Sequence, residues 1–308
     1  MSESPRAVVF AYHAFGTVGL AALERAGIAV ARVFSHADSP GERVWWPPVA
    51  AWCAERGIPC ELDADLAQPD AVARIAAAAP DFLFSFYYRK MLPGAVLDLA
   101  PRGAFNLHGS LLPRYRGRSP VNWQLVHGEA SSGLSLHRML RKADAGDLIA
   151  QQAVRVHPDQ DAFGLTRQLL AIAPGLLDGA LRGLVAGTAA PIAQDHAQAS
   201  YFGGRKPADG RIDWRRPARE VHNLVRAVAP PWPGASTWFA DRPLLVWRTA
   251  VVSERSRYGE PGTVLGDGSV ACGTGALALL AWGRDDETPV ALPAGSRLMP
   301  FPPETSPA

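Results

Sequence analysis

The stretch Ala7-Val8-Val9-Phe10-Ala11 is the first of several strand-like runs in this chain that alternate with helical runs. It is a short apolar run with β-branched residues, typical of a buried strand, and apolar residues at helical spacing follow at 17–26. Between them, Gly16-x-x-Gly19 lacks the full dinucleotide-binding spacing and is interpreted as a tight turn. The alternation recurs in strand-like runs at 28–34 and 81–87 and in helical runs at 49–56 and 72–79. Strands that alternate with helices predict a Rossmann-like α/β fold with a mostly parallel sheet.

The second half of the chain has a different texture. Asp161 is placed to cap a long helical stretch that ends near Gly187, although Pro174 should kink or split it. Beyond residue 208, short β-like pieces separated by Gly and Asp turns predict a small C-terminal β-barrel, similar to an OB fold. We therefore expect a larger α/β domain at 1–189, a linker at 190–207 and a small β-barrel domain at 208–308.

Composition and charge exclude several classes of protein. Hydrophobic residues make up 48% of the 308 residues and the net charge is only +2, which predicts a folded core and no global basic excess for nucleic acid. Cys53, Cys60 and Cys272 lack metal-ligand spacing, so we expect reduced, buried thiols and no metal. The N-terminus has no signal layout, and we find no run of about 18 apolar residues, which predicts a soluble cytoplasmic protein with no membrane partner.

The polar segment after residue 105 is the densest candidate for chemistry. In a strand, Asn106 and His108 would point to the same face. A histidine there suits proton transfer, and an asparagine can donate its amide hydrogens to a developing oxyanion. Asp144, in a turn between two predicted strands, could approach His108 and orient it. From spacing alone, a purely structural role for all three residues stays open.

Two longer blocks resemble the folate-dependent formyltransferases. The segment FNLHGSLLPRYRGRSPVNW at 105–123 is similar to the signature loop of that family, and GLSLHRMLRKADAGD at 133–147 is similar to its second block. The runs at 8–13, 84–89, 202–207 and 225–234 resemble, more narrowly, the formyltransferase half of bifunctional polymyxin-resistance enzymes, which modify UDP-4-amino-4-deoxy-L-arabinose for lipid A. The dehydrogenase half of those enzymes has no counterpart in these 308 residues, so we expect the oxidative step on a separate dehydrogenase that could associate with the chain.

The resemblance implies roles for particular residues. It implies that His108 is the acid/base, that Asn106 stabilises the transition state, and that Asp144 tunes His108. It also implies N10-formyltetrahydrofolate as co-substrate and catalysis in the domain at 1–189. The implied folate contacts are Lys90, Met91, Leu92, Arg118, Leu140, Arg141, Lys142, Ala143 and Asp144. An amine that attacks a formyl carbon creates an oxyanion and sheds a proton, which needs one donor and one base but no metal.

Further residues are candidates for the acceptor. Arg116, Arg118 and Arg205 could bind a diphosphate, since a guanidinium matches phosphate oxygens in a bidentate way. Tyr87 could flank the ligand, and Trp45 with Trp46 could form a lid or a packed anchor. The other acceptor candidates are Tyr12, His13, Tyr88 and Phe202. The remaining histidines, interpreted as structural or solvated, are His36, His127, His137, His157, His196 and His222.

Three functions stay in competition. The first is formyl transfer to the 4-amino group of a UDP-linked amino sugar, the second is formylation of methionyl initiator tRNA or of another nucleotide-linked amino sugar, and the third is an inactive binding protein. Residues 236–308 contain no Lys, and acidic residues match their Arg residues, which argues against tRNA. The joint presence of Asn106, His108 and Asp144 argues against an inactive protein. We therefore expect a nucleotide-sugar and a folate as partners, and no nucleic acid.

Overall fold

A computed structural model describes residues 4–39, 43–285 and 289–299. The chain divides into two compact units, which the polypeptide enters more than once. The first unit comprises Met1–Pro120, Ser131–Val154 and Arg167–Phe202; the second comprises Val121–Ala130, Arg155–Thr166 and Gly203–Ala308. The predicted domain limits at 189 and 208 stay a prediction.

A seven-stranded sheet forms the centre of the first unit. Its strands, in sequence order, are β1 (Arg6–Ala11), β2 (Ala29–Ser35), β3 (Cys60–Leu62), β4 (Phe82–Phe86), β5 (Ala104–His108), β7 (Ser131–Arg138) and β8 (Leu148–Arg155). Their spatial order is β3-β2-β1-β4-β5-β7-β8, parallel from β3 to β5, with β7 antiparallel to β5. The strand order reverses between β1 and β4, and in such sheets ligands bind beyond the carboxyl ends of the strands at this point.

The described residues form seven α-helices and a short two-stranded ladder. The first unit holds α1 (His13–Arg25), α2 (Val49–Ala54), α3 (Pro69–Ala77) and α4 (Gly94–Leu97), and α6 (Ala162–Ala186) belongs mainly to it. All of α5 (Pro120–Val126) except Pro120 belongs to the second unit, as does α7 (Ala218–Ala227). The ladder pairs β6 (Arg116–Gly117) with β9 (Tyr201–Phe202) in parallel. Short 3-10 helices lie at His196–Gln198 and Pro207–Gly210.

Gly16 and Gly19 lie inside α1, so their interpretation as a tight turn is wrong. The helix begins at His13, several residues before the predicted start, and buries both glycines. A Cβ atom at Gly19 would collide with the ring of Phe86 in β4. The two glycines therefore allow α1 to pack closely on the sheet, which a sequence pattern of isolated glycines does not reveal.

The long helix α6 is continuous through Pro174, so the predicted split does not occur. As predicted, Asp161 caps it, because its carboxylate accepts a hydrogen bond from the backbone N–H of Gly164 at 2.7 Å. By length and composition alone, α6 could cross a membrane. However, Leu165, Leu169 and Leu177 are fully buried at helical spacing, which is typical of a core helix.

The second unit contains a five-stranded antiparallel sheet in the order β12-β13-β11-β10-β14. Its strands are β10 (Ala235–Phe239), β11 (Arg242–Ser253), β12 (Val270–Ala271), β13 (Ala276–Gly283) and β14 (Leu298–Met299). Trp214 lies in its apolar core with residues of α7, including Val221 and Val225. The predicted fold class, an α/β sheet followed by a small antiparallel β domain, is confirmed.

Candidate active site

The strand β5 presents the first two predicted catalytic residues. Asn106 and His108 are two positions apart near its carboxyl end, so their side chains leave the same face of the sheet. Parallel pairing with β4 aligns Asn106 with Ser85, and antiparallel pairing with β7 aligns it with His137. The side chains of both residues therefore lie on a rigid, paired strand rather than on a loop.

Asp144 comes from the loop after β7 and is fixed by backbone contacts. It has a positive φ of 50°, and its Oδ2 accepts a hydrogen bond from the N–H of Gly117 at 2.7 Å. Gly117 itself has φ 97°, and a Cβ atom there would collide with the carbonyl oxygen of Phe202 on β9. The ladder between β6 and β9 therefore requires glycine at this position and presents the N–H that holds the carboxylate.

The structure brings the three predicted catalytic side chains together. Asn106 Nδ2 lies 3.4 Å from Oδ1 of Asp144, and His108 Nδ1 lies 3.7 Å from its Oδ2. His108 Nε2 donates to the carbonyl oxygen of Tyr115 at 2.7 Å, since a carbonyl only accepts. Both ring nitrogens thus face oxygen acceptors, and a second proton on the ring would lie between Nδ1 and Asp144.

His137 is a further member of the site that the sequence interpretation assigned to a structural or solvated role. Its Nε2 lies 3.3 Å from Oδ1 of Asp144 and 3.2 Å from Nδ2 of Asn106, and 1% of its side chain is exposed. Its Nδ1 donates to the carbonyl oxygen of Arg138 at 2.8 Å, which orients the ring. The signal that could have revealed it is the cross-strand position opposite Asn106.

The amide of Asn106 lies next to two polar partners. Its nitrogen, His137 Nε2 and Asp144 Oδ1 form a nearly equilateral triangle, so the two partners lie about 60° apart as seen from the nitrogen. An amide nitrogen carries two N–H donors, which makes Asn106 the hydrogen-bond donor of the site.

The carboxyl of Asp144 is ionised in this environment. Burial alone would raise its pKa, since only 12% of the side chain is exposed. The nearby His108, the contact and charge of His137, and the N–H of Gly117 outweigh burial and hold the pKa of Asp144 well below its usual range. A carboxylate of this kind accepts and orients protons without taking one up permanently.

Gln194 supports the Asp144 loop, and sequence reasoning did not find it. Its Nε2 donates to the backbone carbonyls of Asp144 at 2.9 Å and Gly146 at 2.5 Å. Its Oε1 accepts from Nη2 of Arg116 at 2.6 Å and from Nε at 3.2 Å. The contact spans about fifty residues, which no local sequence pattern encodes.

Arg116, predicted to bind a diphosphate, occupies a different position. It has no exposed surface, and besides Gln194 its guanidinium contacts the hydroxyl of Tyr201 at 2.6 Å and Nδ1 of His196 at 3.0 Å. A guanidinium enclosed by these partners has no exposed surface. Through Gln194 it supports the Asp144 loop, and its predicted contact with a diphosphate stays a prediction.

The two segments predicted to contact folate lie against each other. Arg141 Nη2 lies 3.5 Å from a carboxylate oxygen of Asp98, and the apolar cluster that buries Leu92 also packs Met139. Met91 is 59% exposed and Leu140 47% exposed, so each of the two segments presents an apolar side chain to solvent. The other predicted folate contacts in these segments are Lys90, Lys142 and Ala143.

Aromatic residues fill the carboxyl ends of β1 and β4. The ring of His13 lies 4.1 Å from that of Trp46, and Tyr12 donates its hydroxyl to Asp38 at 2.7 Å. The ring of Tyr88 stacks on His36 at 4.2 Å, and burial together with the charge of Asp63 raises its pKa to about 12. Tyr12, His13 and Tyr88 thus gather at the strand-order reversal, where the tryptophans contribute to packed aromatic contacts.

The remaining predicted ligand contacts are distributed between the two units. In the first unit, Phe202 stacks on Tyr115 at 5.1 Å, and its carbonyl accepts from the backbone N–H of Arg118, whose side chain is exposed. In the second unit, the guanidinium of Arg205 lies 4.6 Å from the ring centre of Trp123. Burial lowers the pKa of Arg205, and the charge of Asp209 partly offsets this.

The comparison with protein families identifies the class. The family described as "Formyl transferase" matches residues 10–179, and "Formyl transferase, C-terminal domain" matches residues 205–291. The chain belongs to the formyl transferase family, and the prediction that it is a formyltransferase is confirmed. The first match includes Asn106, His108, His137 and Asp144.

Several solved structures share the fold. WlaRD, a sugar 3N-formyl transferase solved with dTDP and 5-N-formyl-THF, is 16% identical over 91% of this chain and 99% of its own, with a TM-score of 0.66. An N-formyltransferase from Helicobacter canadensis, in complex with folinic acid and dTDP-3-aminofucose, is 15% identical with the same coverage and TM-score. Glycinamide ribonucleotide transformylase 1 from Symbiobacterium toebii is 22% identical over 61% of this chain and 90% of its own, with a TM-score of 0.52.

Proposed function

We propose that this chain transfers a formyl group from N10-formyltetrahydrofolate to the 4-amino group of a UDP-linked amino sugar, UDP-4-amino-4-deoxy-L-arabinose. The convergence of Asn106, His108 and Asp144 on one point carries the proposal. An oxyanion donor and a proton acceptor are the two groups that this reaction requires. Since the donor and the acceptor are soluble, we propose the cytoplasm as its location and lipid A modification as its context.

The donor supplies a formyl carbon bonded to a nitrogen that leaves as an amine. A carbon–nitrogen bond forms to the sugar amine, the bond to the folate nitrogen breaks, and one proton passes from the first nitrogen to the second. An N–H of the Asn106 amide is suited to stabilise the negative charge that develops on the formyl oxygen. His108 takes up the amine proton, and the nearby carboxylate of Asp144 stabilises the ring when it is doubly protonated.

Two exposed apolar side chains support a folate as the donor. Met91 and Leu140 would contact a planar ring system from two adjacent segments, at the edge of the loop that carries the carboxylate. WlaRD was solved with 5-N-formyl-THF, and the Helicobacter canadensis enzyme was solved with folinic acid.

The choice of acceptor rests on sequence and on related enzymes. The runs FSFYYR at 84–89 and FGGRKP at 202–207 are similar to those of enzymes that formylate UDP-4-amino-4-deoxy-L-arabinose. The sugar formyltransferases with this fold, which were solved with dTDP or dTDP-3-aminofucose, support the broader class of nucleotide-linked amino sugars. The low net charge of +2 favours a small acceptor over tRNA.

The decisive experiment offers several amines to the purified full chain. N10-formyltetrahydrofolate is supplied with UDP-4-amino-4-deoxy-L-arabinose, with other UDP- and dTDP-amino sugars, or with charged initiator tRNA, and mass spectrometry detects a formyl adduct. We expect the adduct on UDP-4-amino-4-deoxy-L-arabinose and its loss in His108→Asn. Formylation of dTDP-sugars alone would reject the UDP acceptor, and formylation of tRNA alone would reject the sugar class.

A further inference from the structure

Tyr87 holds a buried hydroxyl group close to the site. It directly follows β4, which ends at Phe86. The hydroxyl oxygen is buried and has no hydrogen-bond partner among the residues that the structure describes. Burial raises the pKa of Tyr87, so the group remains a phenol that can donate a proton to a hydrogen bond.

The conformation of Tyr87 is fixed and strained. Its backbone φ is 58°, in the left-handed region that a residue with a Cβ atom rarely adopts. Its ring stacks on Phe15 with centroids 4.0 Å apart and planes at 11°, and Phe15 has no exposed surface. The ring therefore cannot swing away to find water for its hydroxyl.

The hydroxyl lies over the backbone next to the candidate catalytic imidazole. Gly109 directly follows His108 at the end of β5, and a Cβ atom built on Gly109 would lie 2.5 Å from the hydroxyl oxygen of Tyr87. Because Gly109 has no Cβ atom, the phenol hydroxyl can occupy this position. The hydroxyl is therefore positioned beside the strand end from which His108 acts.

Both features cost free energy in the protein alone. A buried hydroxyl without a partner is destabilising, and a non-glycine residue at positive φ adds strain. Such features persist at functional sites, where a ligand satisfies the polar group. A neutral phenol matches a neutral acceptor, such as the hydroxyl of a sugar ring, and it lies on the β4 side of the site, away from the loop of Asp144.

We propose that the Tyr87 hydroxyl donates a hydrogen bond to a ring hydroxyl adjacent to the amine of the acceptor sugar and so positions that amine beside His108. This inference rests on the proposed function, because it requires a sugar acceptor. It makes Tyr87 a specificity-determining residue: an acceptor without that hydroxyl leaves the phenol unsatisfied. Discrimination of this kind is stronger than that of an apolar pocket.

The test is Tyr87→Phe, which removes only the hydroxyl. We expect kcat/KM for the amino sugar to fall on the order of tenfold while KM for the folate stays unchanged, as for the loss of one hydrogen bond to substrate. We also expect the unliganded variant to resist urea as well as or better than the wild type. For a deoxy acceptor that lacks the adjacent hydroxyl, the wild type and the variant should have the same kcat/KM.

Tyr258→Phe provides a matched control, since Tyr258 is 44% exposed in the second unit and should change neither rate nor stability. Wild-type kcat/KM in Tyr87→Phe would overturn the inference, and so would a clear loss of its stability, which would reveal a partner within the protein. An inactive wild type on every amino sugar would instead reject the proposed function itself. The two failures are therefore distinguishable.

Discussion

Two neighbouring regions at the same edge of the sheet differ in whether their buried polar groups have partners within the protein. At the end of β5, Asn106 and His108 have hydrogen-bond or ionic partners within the protein, and so does Asp144 from the loop after β7. At the end of β4, the hydroxyls of Tyr87 and Tyr88 are buried without a partner in the described part of the chain. A satisfied group has its geometry fixed before substrate arrives, whereas an unsatisfied one gains its bond only from a ligand.

The largest expected effect lies in the satisfied region. Asp144→Asn removes the charge that faces His108 but keeps the size of the side chain. We expect kcat to fall by about 10²- to 10⁴-fold, because the proton acceptor loses its stabilising carboxylate. Steady-state kinetics with both substrates measures this. Asp147→Asn, a change at an exposed carboxylate of the same loop, serves as the control, and a near-normal kcat for Asp144→Asn would contradict the assignment.

A smaller loss of activity should follow when the loop that carries Asp144 loses its support. Gln194→Leu removes both the donor to the carbonyl of Asp144 and the acceptor of Arg116. We expect kcat to fall by roughly 10- to 100-fold with little change in either KM, because displacement of a catalytic group by about 1 Å has that cost. Gln198→Leu, in the exposed 3-10 helix nearby, is the comparison. Equal kcat values in the two variants would show that Gln194 does not position Asp144.

The contrast between the two regions can be tested by removing one hydroxyl from each and measuring the free energy of unfolding. Ser110 is fully buried and donates to the carbonyl of Arg114 at 2.7 Å, so Ser110→Ala should lower the free energy of unfolding by about 1 kcal/mol. Tyr88→Phe removes a hydroxyl with no described partner and should leave stability unchanged or raise it. Urea unfolding of both variants measures the difference. Equal losses would remove the distinction between the regions.

The smallest expected effect is a dependence on pH. Burial, only partly offset by Asp63, lowers the pKa of His36 below 6.5, and its Nε2 accepts the N–H of Arg89. In the unfolded chain the imidazole of His36 binds a proton near pH 6.5, whereas in the native state it binds one only at lower pH. The stability that the neutral His36 contributes is therefore fully present above pH 6.5 and is lost as the pH falls. We expect His36→Gln to unfold with a weaker dependence on pH between 7 and 5. His157→Gln, at an exposed histidine, should retain the wild-type dependence.

The parallel sheet could be predicted because its strands are short, local and mostly apolar. The run around Val8 and Val9 and the run FLFSF in β4 are recognisable within five residues. The shared orientation of Asn106 and His108 could be predicted for the same reason, since the alternation of side chains along one strand places both on one face. Asp144 was a candidate because it lies in a turn between two predicted strands, and the resemblance of its block to a known family implied its role.

The rest of the site depends on contacts between distant segments. His137 became significant only through its register opposite Asn106, and an antiparallel pairing of β5 with β7 is not encoded in either strand alone. Arg116 was predicted as a phosphate ligand because a guanidinium matches phosphate oxygens in a bidentate way. Its actual partners, Gln194, His196 and Tyr201, follow about eighty residues later.

Because of the β6–β9 ladder, the candidate site is complete only after the later part of the chain has been synthesised. Every strand of the large sheet has been translated once residue 155 is made, yet Gln194 and the partners of Gly117 in β9 are translated only afterwards. The supports of the Asp144 loop are therefore the last part of the site to be synthesised. We expect competence for the reaction to appear as a late event in biosynthesis, separate from collapse of the core.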